Sequence, residues 1–168
     1  GYIKQFNHPL LIYSLRSTLA NFINLLLASL GFFLFILIWK PENTSWGWFA
    51  LFPTFFIFLL EAWGLASIFS FIATKFRDFS QLIVIVFQAV WYISPVFIQP
   101  KIFATAKLHY LVDYNPVYHF LELFRAPVLE NRLPSEMNFS FSVVTLAITW
   151  CVVLFLVKRD EHKIIFYL

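Results

Sequence analysis

Four long apolar runs constrain the fold of this chain more than any other feature of its sequence. The runs cover residues 19–39, 46–73, 79–98 and 139–157, and the second contains their one charged residue, Glu61. A helix needs about 20 predominantly apolar residues to cross a bilayer, and each run meets that length. Strands of a transmembrane barrel would alternate apolar and polar residues instead. The sequence therefore predicts an all-α integral membrane protein, one domain over residues 1–168 with four transmembrane helices.

The composition agrees with a bilayer as the solvent of this chain. Hydrophobic residues make up 61% of the sequence and charged residues 12%, whereas about a quarter of the residues in soluble domains are charged. The net charge of +3 is spread along the chain, which does not fit the clustered basic face of nucleic-acid-binding proteins. We therefore expect no nucleic-acid partner.

The distribution of basic residues predicts the orientation of the helices. Seven of them lie before the first run, between the second and third runs, or after the fourth: Lys4, Arg16, Lys75, Arg77, Lys158, Arg159 and Lys163. Five lie in the other connections: Lys40, Lys101, Lys107, Arg125 and Arg132. Because cytoplasmic connections are enriched in Lys and Arg, we predict that both chain ends are cytoplasmic. Residues 99–138 then lie on the outer side, and Trp46 and Trp48 suit an outer aromatic belt.

Glu61 permits two interpretations. A charged side chain at the centre of a bilayer costs about 3 kcal/mol or more. The residue is either an acid of a translocation path or proton relay, or a protonated or paired side chain that locks helices together. The sequence favours the lock, because no second acid or intramembrane base accompanies it. On the same run, Ala62, Ala66 and Ser70 recur every four positions and predict a helix-packing face.

The third run carries a polar stripe. At about 100° per residue, the stripe residues lie within about 40° of Gln81 around a helix. They are Gln81, Gln88, Tyr92, Pro95 and Gln99. Such a stripe faces either another helix, through amide hydrogen bonds, or a polar pathway, and the residues alone leave both open. Pro95 also predicts a bend or an end of the helix, because proline removes a backbone hydrogen bond.

The connection over residues 99–138 is predicted to be a broken helical segment. Its apolar stretches are too short to span a bilayer and are interrupted by four prolines, at positions 100, 116, 127 and 134. Asn115 followed by Pro116 predicts a helix start, with an N-cap and a proline at the first position, and a short aromatic helix over residues 117–125. The segment is either a re-entrant hairpin, which must be buried in protein or line a cavity, or a helix pair that rests on the outer leaflet.

Four titratable residues in this connection invite an enzymatic interpretation. His109, Asp113, His119 and Glu122 would form the site of an integral-membrane enzyme that acts on lipid-linked substrates. Their spacing matches no established metal-ligand pattern, so we predict no metal site. The chain also lacks the glycine-rich loop that cradles phosphates and the nucleophile elbow of hydrolases. We therefore expect no cofactor on this chain.

Five short motifs follow one another along the chain. They are Ile3-Lys4 with Pro9-Leu10 and Arg16; Phe76-Arg77-Asp78; the WYISPVF stretch at residues 91–97; Asn115-Pro116 ahead of Phe124-Arg125-Ala126; and the KIIFYL tail at residues 163–168. In this order and topology they resemble the membrane subunit of type-2 ABC exporters, in the branch that exports O-antigen, capsular polysaccharide and teichoic acid. The resemblance covers essentially the whole chain.

The resemblance implies a particular fold. The family has six spans behind an N-terminal amphipathic helix, and this chain would supply the last four. We therefore expect the amphipathic helix and the first two spans to be absent from the chain. Glu61 maps to no motif of the family, so its interpretation as a packing residue is unchanged.

The resemblance also implies partners and roles. It implies a homodimer in a bacterial cytoplasmic membrane, docked on an ABC ATPase subunit that holds ATP and Mg²⁺. Residues 1–17 would form a coupling segment, and its Lys4, Pro9 and Arg16 would lie with Lys75, Arg77 and Asp78 at the cytoplasmic mouth. The polar stripe would line the pathway of a lipid-linked glycan. A re-entrant segment with Asn115, Pro116, Phe124 and Arg125 would lie at the outer exit. The alternatives are export of a drug or a lipid, and the membrane enzyme described above.

Overall fold

The structure is a computed structural model that describes residues 10–39, 46–76, 78–94 and 113–164. Within these residues it contains five α-helices and one 3₁₀ turn. The helices are α1 (Leu10–Trp39), α2 (Leu51–Lys75), α3 (Phe79–Ile93), α4 (Pro116–Leu129) and α5 (Glu136–Ile164), and the 3₁₀ turn Trp46–Ala50 leads into α2. No strand occurs in the described residues, in agreement with the prediction of an all-α fold.

Three helices are long and apolar enough to cross a membrane: Leu11–Trp39, Trp46–Lys75 and Glu136–Arg159. The helix found in the third predicted span, α3, has 15 residues and is shorter than these three. At 1.5 Å per residue it measures about 22 Å, against about 30 Å for the hydrocarbon core. Ser94 is extended, with ψ 143°, as steric contact with a following proline favours. The helix thus ends where Pro95 predicts, and a fourth full span remains a prediction.

The first two helices run in opposite directions. Ser14 of α1 contacts Ser67 of α2, and Phe33 further along α1 contacts Trp48 at the start of the second span, so α1 and α2 are antiparallel. Antiparallel packing of α1 and α2 brings Arg16 and Lys75 to one end of the molecule, here called the basic end. Trp39 and Trp46 lie at the other end, called the tryptophan end, and are 73% and 86% exposed.

The centre of the fold is α2, which packs against both α1 and α5. Gly64 allows the closest approach, because a Cβ at this position would lie 2.7 Å from Cγ2 of Thr149. Ser67 is also buried, and its hydroxyl lies 2.8 Å from that of Ser14. Small residues let backbones approach in a membrane, where apolar side chains gain little over lipid. The face that packs in this chain is therefore the Gly64–Ser67 side of α2.

The small-residue face predicted from the sequence lies elsewhere on α2. Ala62 and Ser70 are exposed and Ala66 is half-buried. The predicted stripe therefore does not form the face of α2 that packs against α1 and α5. The residues at positions 62, 66 and 70 and those at 64 and 67 occupy different sides of the helix, and both sides have small residues. Only the positions of the neighbouring helices distinguish them.

Two tryptophan side chains link the same three helices through hydrogen bonds and a ring contact. The indole N–H of Trp63 donates to the carbonyl oxygen of Leu11 at 3.1 Å, and that of Trp150 donates to the carbonyl oxygen of Leu60 at 3.2 Å. The two rings also contact each other edge to face, with centroids 4.7 Å apart. Each indole N–H is therefore satisfied while its ring fills the space between α1, α2 and α5.

α4 lies against α2 and α5 and supplies much of the best-buried apolar surface. Leu123, Ala126 and Val128 are fully buried. Pro127, which the sequence marks as an interruption, lies inside α4. Because proline has no N–H, it cannot bond the carbonyl oxygen of Leu123 four residues earlier. The hydroxyl of Thr54 on α2 lies 3.4 Å from that oxygen, while its hydrogen is directed at 2.8 Å to the backbone oxygen four residues earlier in its own segment. The freed oxygen therefore faces a polar group of the neighbouring helix.

Candidate functional site

The polar stripe of α3 lies exposed in this chain. Gln81 and Gln88 are both exposed, and Tyr92 is 72% exposed. Within the described residues neither glutamine forms a side-chain hydrogen bond. Pro95 and Gln99, the other members of the predicted stripe, lie outside the described residues. The helix contacts α2 instead through Phe79 and Phe87, whose ring centroids lie 6.0 and 5.6 Å from that of Phe69.

A tight turn joins α2 to α3 at the basic end. α2 ends at Lys75, and the extended Phe76 donates its N–H to the carbonyl oxygen of Ile72 at 3.0 Å. The carbonyl oxygen of Phe76 then accepts from the N–H of Phe79 at 3.1 Å. Lys75 and Asp78 are exposed here, as is Arg16 on α1. Of the residues predicted for the cytoplasmic mouth, Lys4, Pro9 and Arg77 lie outside the described residues.

The start of α4 confirms the predicted cap. The side-chain oxygen of Asn115 accepts a hydrogen bond from the N–H of Val117 at 2.9 Å, and Pro116 is the first helical residue. The side-chain amide of Asn115 also donates to the hydroxyl of Ser94 at 3.1 Å. One side chain therefore caps α4 and fixes it to the residue that ends α3, a contact that the sequence does not predict.

Phe124 of α4 lies in an aromatic cluster at the tryptophan end. Its ring stacks against that of Phe33 on α1, with centroids 6.0 Å apart, and meets that of Phe55 on α2 edge to face at 5.9 Å. Trp48 contacts Phe33 from the other side at 5.2 Å. The cluster links α4 to both α1 and α2, while Arg125, the neighbour of Phe124, is half-buried.

His119 is a bridging residue between α4 and α5. The side chain is buried, and its Nε2 lies 2.8 Å from the backbone oxygen of Asp113. Because a carbonyl oxygen only accepts, Nε2 carries the hydrogen. Nδ1 then accepts, and it lies 2.9 Å from the side-chain amide of Asn138, whose NH2 group is the donor that fits it; the ring also stacks on Phe141 with centroids 4.0 Å apart. Both ring nitrogens are thus engaged in holding the two helices together.

Glu122, the buried acid of α4, is paired. Its carboxylate accepts a hydrogen bond from the guanidinium of Arg132, which also donates to the exposed Glu130 at 2.5 Å. Partial burial opposes the charge of Arg132, but the hydrogen bonds and charges of Glu130 and Glu122 outweigh it and raise its pKa. This pair could not be inferred from the sequence, because Arg132 and Glu122 are ten positions apart.

These contacts leave little support for a metal or catalytic site. No group of three or more potential metal ligands occurs among the described residues, and His109 lies outside them. His119 and Glu122 point to different partners, since Asn138 binds the first and Arg132 binds the second. The described part of the segment therefore favours a role in holding α4 against its neighbours.

Glu61 joins α2 to α5 within the membrane-spanning region. It is only 8% exposed, and its Oε1 accepts a hydrogen bond from the hydroxyl of Thr149 at 2.8 Å. Its Oε2 has no hydrogen-bond partner in the described part of the chain. This geometry agrees with the interpretation of Glu61 as a lock between helices. Thr149 could not be identified as its partner from the sequence, because the two residues are 88 positions apart.

Comparison with known proteins identifies the family of this chain. A family model described as ABC-2 type transporter matches residues 2–129, which is about three quarters of the 168 residues. No curated protein and no solved structure matches the chain. The matched region contains α1 to α4 and includes the α2–α3 turn and the capped start of α4. The chain therefore belongs to the ABC-2 type transporter family, whose members are membrane subunits of ABC exporters.

Proposed function

We propose that this chain is the membrane subunit of an ATP-driven exporter that moves a lipid-linked polysaccharide across the bacterial cytoplasmic membrane. Membership of the ABC-2 family supports the role in export. The polysaccharide branch rests on the sequence motifs that resemble it, above all Asn115-Pro116 followed by Phe124-Arg125-Ala126. The observation that carries the pathway is the exposed polar face of α3.

The proposed pathway runs along α3. Gln81, Gln88 and Tyr92 share one side of the helix and are exposed in this chain. Amide groups in hydrocarbon lack hydrogen-bond partners, so polar residues in membrane helices face protein or a water-filled path. Along such a path, amides bind sugar hydroxyl groups and the Tyr92 ring offers a flat apolar surface. Pro95 and Gln99 would continue this lining toward the exit.

Coupling to ATP hydrolysis is proposed at the basic end. There Arg16, Lys75 and Asp78 are exposed around the α2–α3 turn, with Lys4, Pro9 and Arg77 nearby in the sequence. An ABC ATPase subunit would bind this end and carry ATP and Mg²⁺, and a second copy of the chain would complete the pathway. In this orientation both chain ends are cytoplasmic, and α4 belongs to a re-entrant segment at the outer exit.

A related exporter of a drug or another lipid remains the alternative, because the exposed polar face suits any amphipathic cargo. The membrane-enzyme alternative has less support, since His119 and Glu122 are occupied by Asn138 and Arg132. Export assays with candidate cargoes distinguish a polysaccharide exporter from an exporter of a drug or another lipid. An ATP-dependent transfer of lipid-linked glycan, without transfer of free phospholipid, would favour the polysaccharide exporter.

Substitution of Gln88 by leucine tests the pathway. We expect Gln88→Leu to slow glycan export several-fold, because one hydrogen bond to cargo contributes about 1 kcal/mol. Assembly with the ATPase subunit should be unchanged. The matched control is Val86→Leu, since Val86 is also exposed and lies about 200° away around the helix. Equal export by both variants would show that the polar face only contacts another helix.

A further inference from the structure

A long apolar groove separates α1 from α2 in the half of the molecule at the tryptophan end. It is lined by twelve residues within residues 22–33 of α1 and residues 48–59 of the 3₁₀ turn and α2, and its volume is about 700 Å³. Seven of the twelve lining residues are aromatic, and Ser29 is the one polar residue among them. Leu30, Phe52 and Phe56 on its walls are well exposed, so the groove opens to the side of the molecule.

The length of the groove matches one leaflet of a bilayer. Eleven residue steps along α1, from residue 22 to residue 33, correspond to about 16 Å at 1.5 Å per residue. Half of a hydrocarbon core of about 30 Å is about 15 Å. The groove ends at Trp48 and Phe49, next to Trp46 in the aromatic belt that marks a membrane interface. An occupant that enters at the interface and reaches the bilayer midplane therefore fits the groove lengthwise.

The chemistry of the groove excludes a polar occupant. The hydroxyl of Ser29 donates to the carbonyl oxygen of Leu25 at 2.7 Å and is therefore already satisfied. An ordered water needs about two to four polar partners, and a dry apolar cavity of about 150 Å³ takes up benzene instead. By the same scale the groove accommodates a hydrocarbon of roughly two dozen carbon atoms, or about one long chain with room to move.

The lining also argues against another helix as the occupant. Membrane helices pack through small residues, which let their backbones approach, as Gly64 and Ser67 do on α2. No glycine or alanine lines the groove. On α1 the exposed small and polar residues Asn24, Ala28 and Gly31 lie on the opposite side of the helix. The side of α1 suited to a helix is therefore not the side that lines the groove.

We propose that the groove binds one acyl chain of a bilayer phospholipid from the leaflet at the tryptophan end. In the orientation proposed above this is the outer leaflet. The occupant is a structural lipid, distinct from the exported cargo. Its chain would lie against Phe33 and Phe55, the same rings that contact Phe124 of α4. The lipid would thereby support the aromatic cluster that holds α4.

Quenching by brominated lipid tests this proposal. The intact protein is placed in nanodiscs of phosphatidylcholine with dibrominated acyl chains, since bromine quenches tryptophan emission on contact. The contribution of Trp48 is the difference between the protein and its Trp48→Phe variant. Trp39, which is exposed outside the groove, gives the signal of bulk lipid through Trp39→Phe. We expect both tryptophans to be quenched.

Filling the groove separates a bound chain from bulk lipid. Leu26→Phe adds a ring to the groove wall, and Ser29→Phe is a second, more demanding variant. We expect either to abolish most of the quenching of Trp48 and to leave that of Trp39 unchanged. In mass spectra of the protein released from gentle detergent, the filled variants should retain one phospholipid fewer per chain than the parent protein.

Three outcomes would overturn the proposal. A Trp48 signal that is unquenched while Trp39 is quenched would place protein in the groove. Equal quenching of Trp48 in the parent and in a folded filled variant would reduce the contact to bulk lipid. Equal phospholipid retention would do the same. If neither variant folds, the quenching of Trp48 in the parent protein still decides between lipid and a protein helix.

Discussion

Replacement of Gly64 by alanine tests the close approach of α2 and α5. The new Cβ would lie 2.7 Å from Cγ2 of Thr149, whereas carbon atoms pack best at about 3.5–4.0 Å. Either the helices or the side chain of Thr149 must therefore move by about 1 Å. Both movements disturb the bond of 2.8 Å between Thr149 and Glu61, which would leave a buried carboxyl group without its partner.

The expected magnitude follows from one stabilising and two destabilising contributions. Alanine gains roughly 0.5–1 kcal/mol over glycine in a helix interior, and overpacking costs about 1–3 kcal/mol. The lost hydrogen bond adds about 1 kcal/mol. We therefore expect Gly64→Ala to lower the free energy of unfolding by about 1–3 kcal/mol, measured by unfolding in mixed micelles with far-ultraviolet circular dichroism.

Gly31 of α1 provides the matched control. A Cβ there meets nothing within 4 Å, so Gly31→Ala should be neutral or stabilising by up to about 1 kcal/mol. The double variant Gly64→Ala with Thr149→Ser removes the clashing methyl group and keeps the hydroxyl donor to Glu61. It should recover part of the loss, as a coupling of about 0.5–3 kcal/mol between residues in contact. The reasoning fails if Gly64→Ala is as stable as Gly31→Ala.

Two further predictions concern the tryptophan end. Asn115→Asp retains the cap of α4 but loses the hydrogen-bond donor to Ser94. It should therefore lose less stability than Asn115→Ala, which also loses about 1 kcal/mol of capping. Equal losses in the same unfolding assay would contradict this. Arg132→Gln leaves buried Glu122 unpaired and should cost about 2–4 kcal/mol, toward the lower side of a buried pair because the arginine is half-exposed. Glu130→Gln removes the exposed partner of Arg132 and should change the unfolding free energy by at most about 1 kcal/mol.

The features that the sequence predicted correctly depend on neighbours along the chain. Asn115 caps α4 because its side chain reaches an N–H two residues later, and such local geometry can be inferred from the residue types alone. The same is true of the end of α3 before Pro95, where steric contact with the proline constrains Ser94. Three of the four apolar runs likewise correspond to long helices, because their length is a property of the sequence itself.

The features that were missed depend on which helices meet. Glu61 could be interpreted as a lock, but its partner Thr149 lies on a helix 88 positions away. The packing side of α2 was assigned to Ala62 and Ser70, whereas Gly64 and Ser67 make the contacts. In a soluble helix a polar side would have shown which face is exposed. α2 is apolar on nearly every side, so hydrophobic periodicity carries no such information.

The contacts of α3 differ in kind from those of the other helices. α1, α2, α4 and α5 are joined by polar contacts, such as Ser14 with Ser67 and His119 with Asn138. α3 meets α2 through the rings of Phe79 and Phe87, and in a bilayer such apolar contacts compete on nearly equal terms with lipid. Among the described contacts, a shift of α3 along α2 therefore breaks fewer directional bonds than a shift of α1 or α5. Within those contacts, the hydrogen bond from Asn115 to Ser94 ties the end of α3, which carries the proposed pathway residues, to α4.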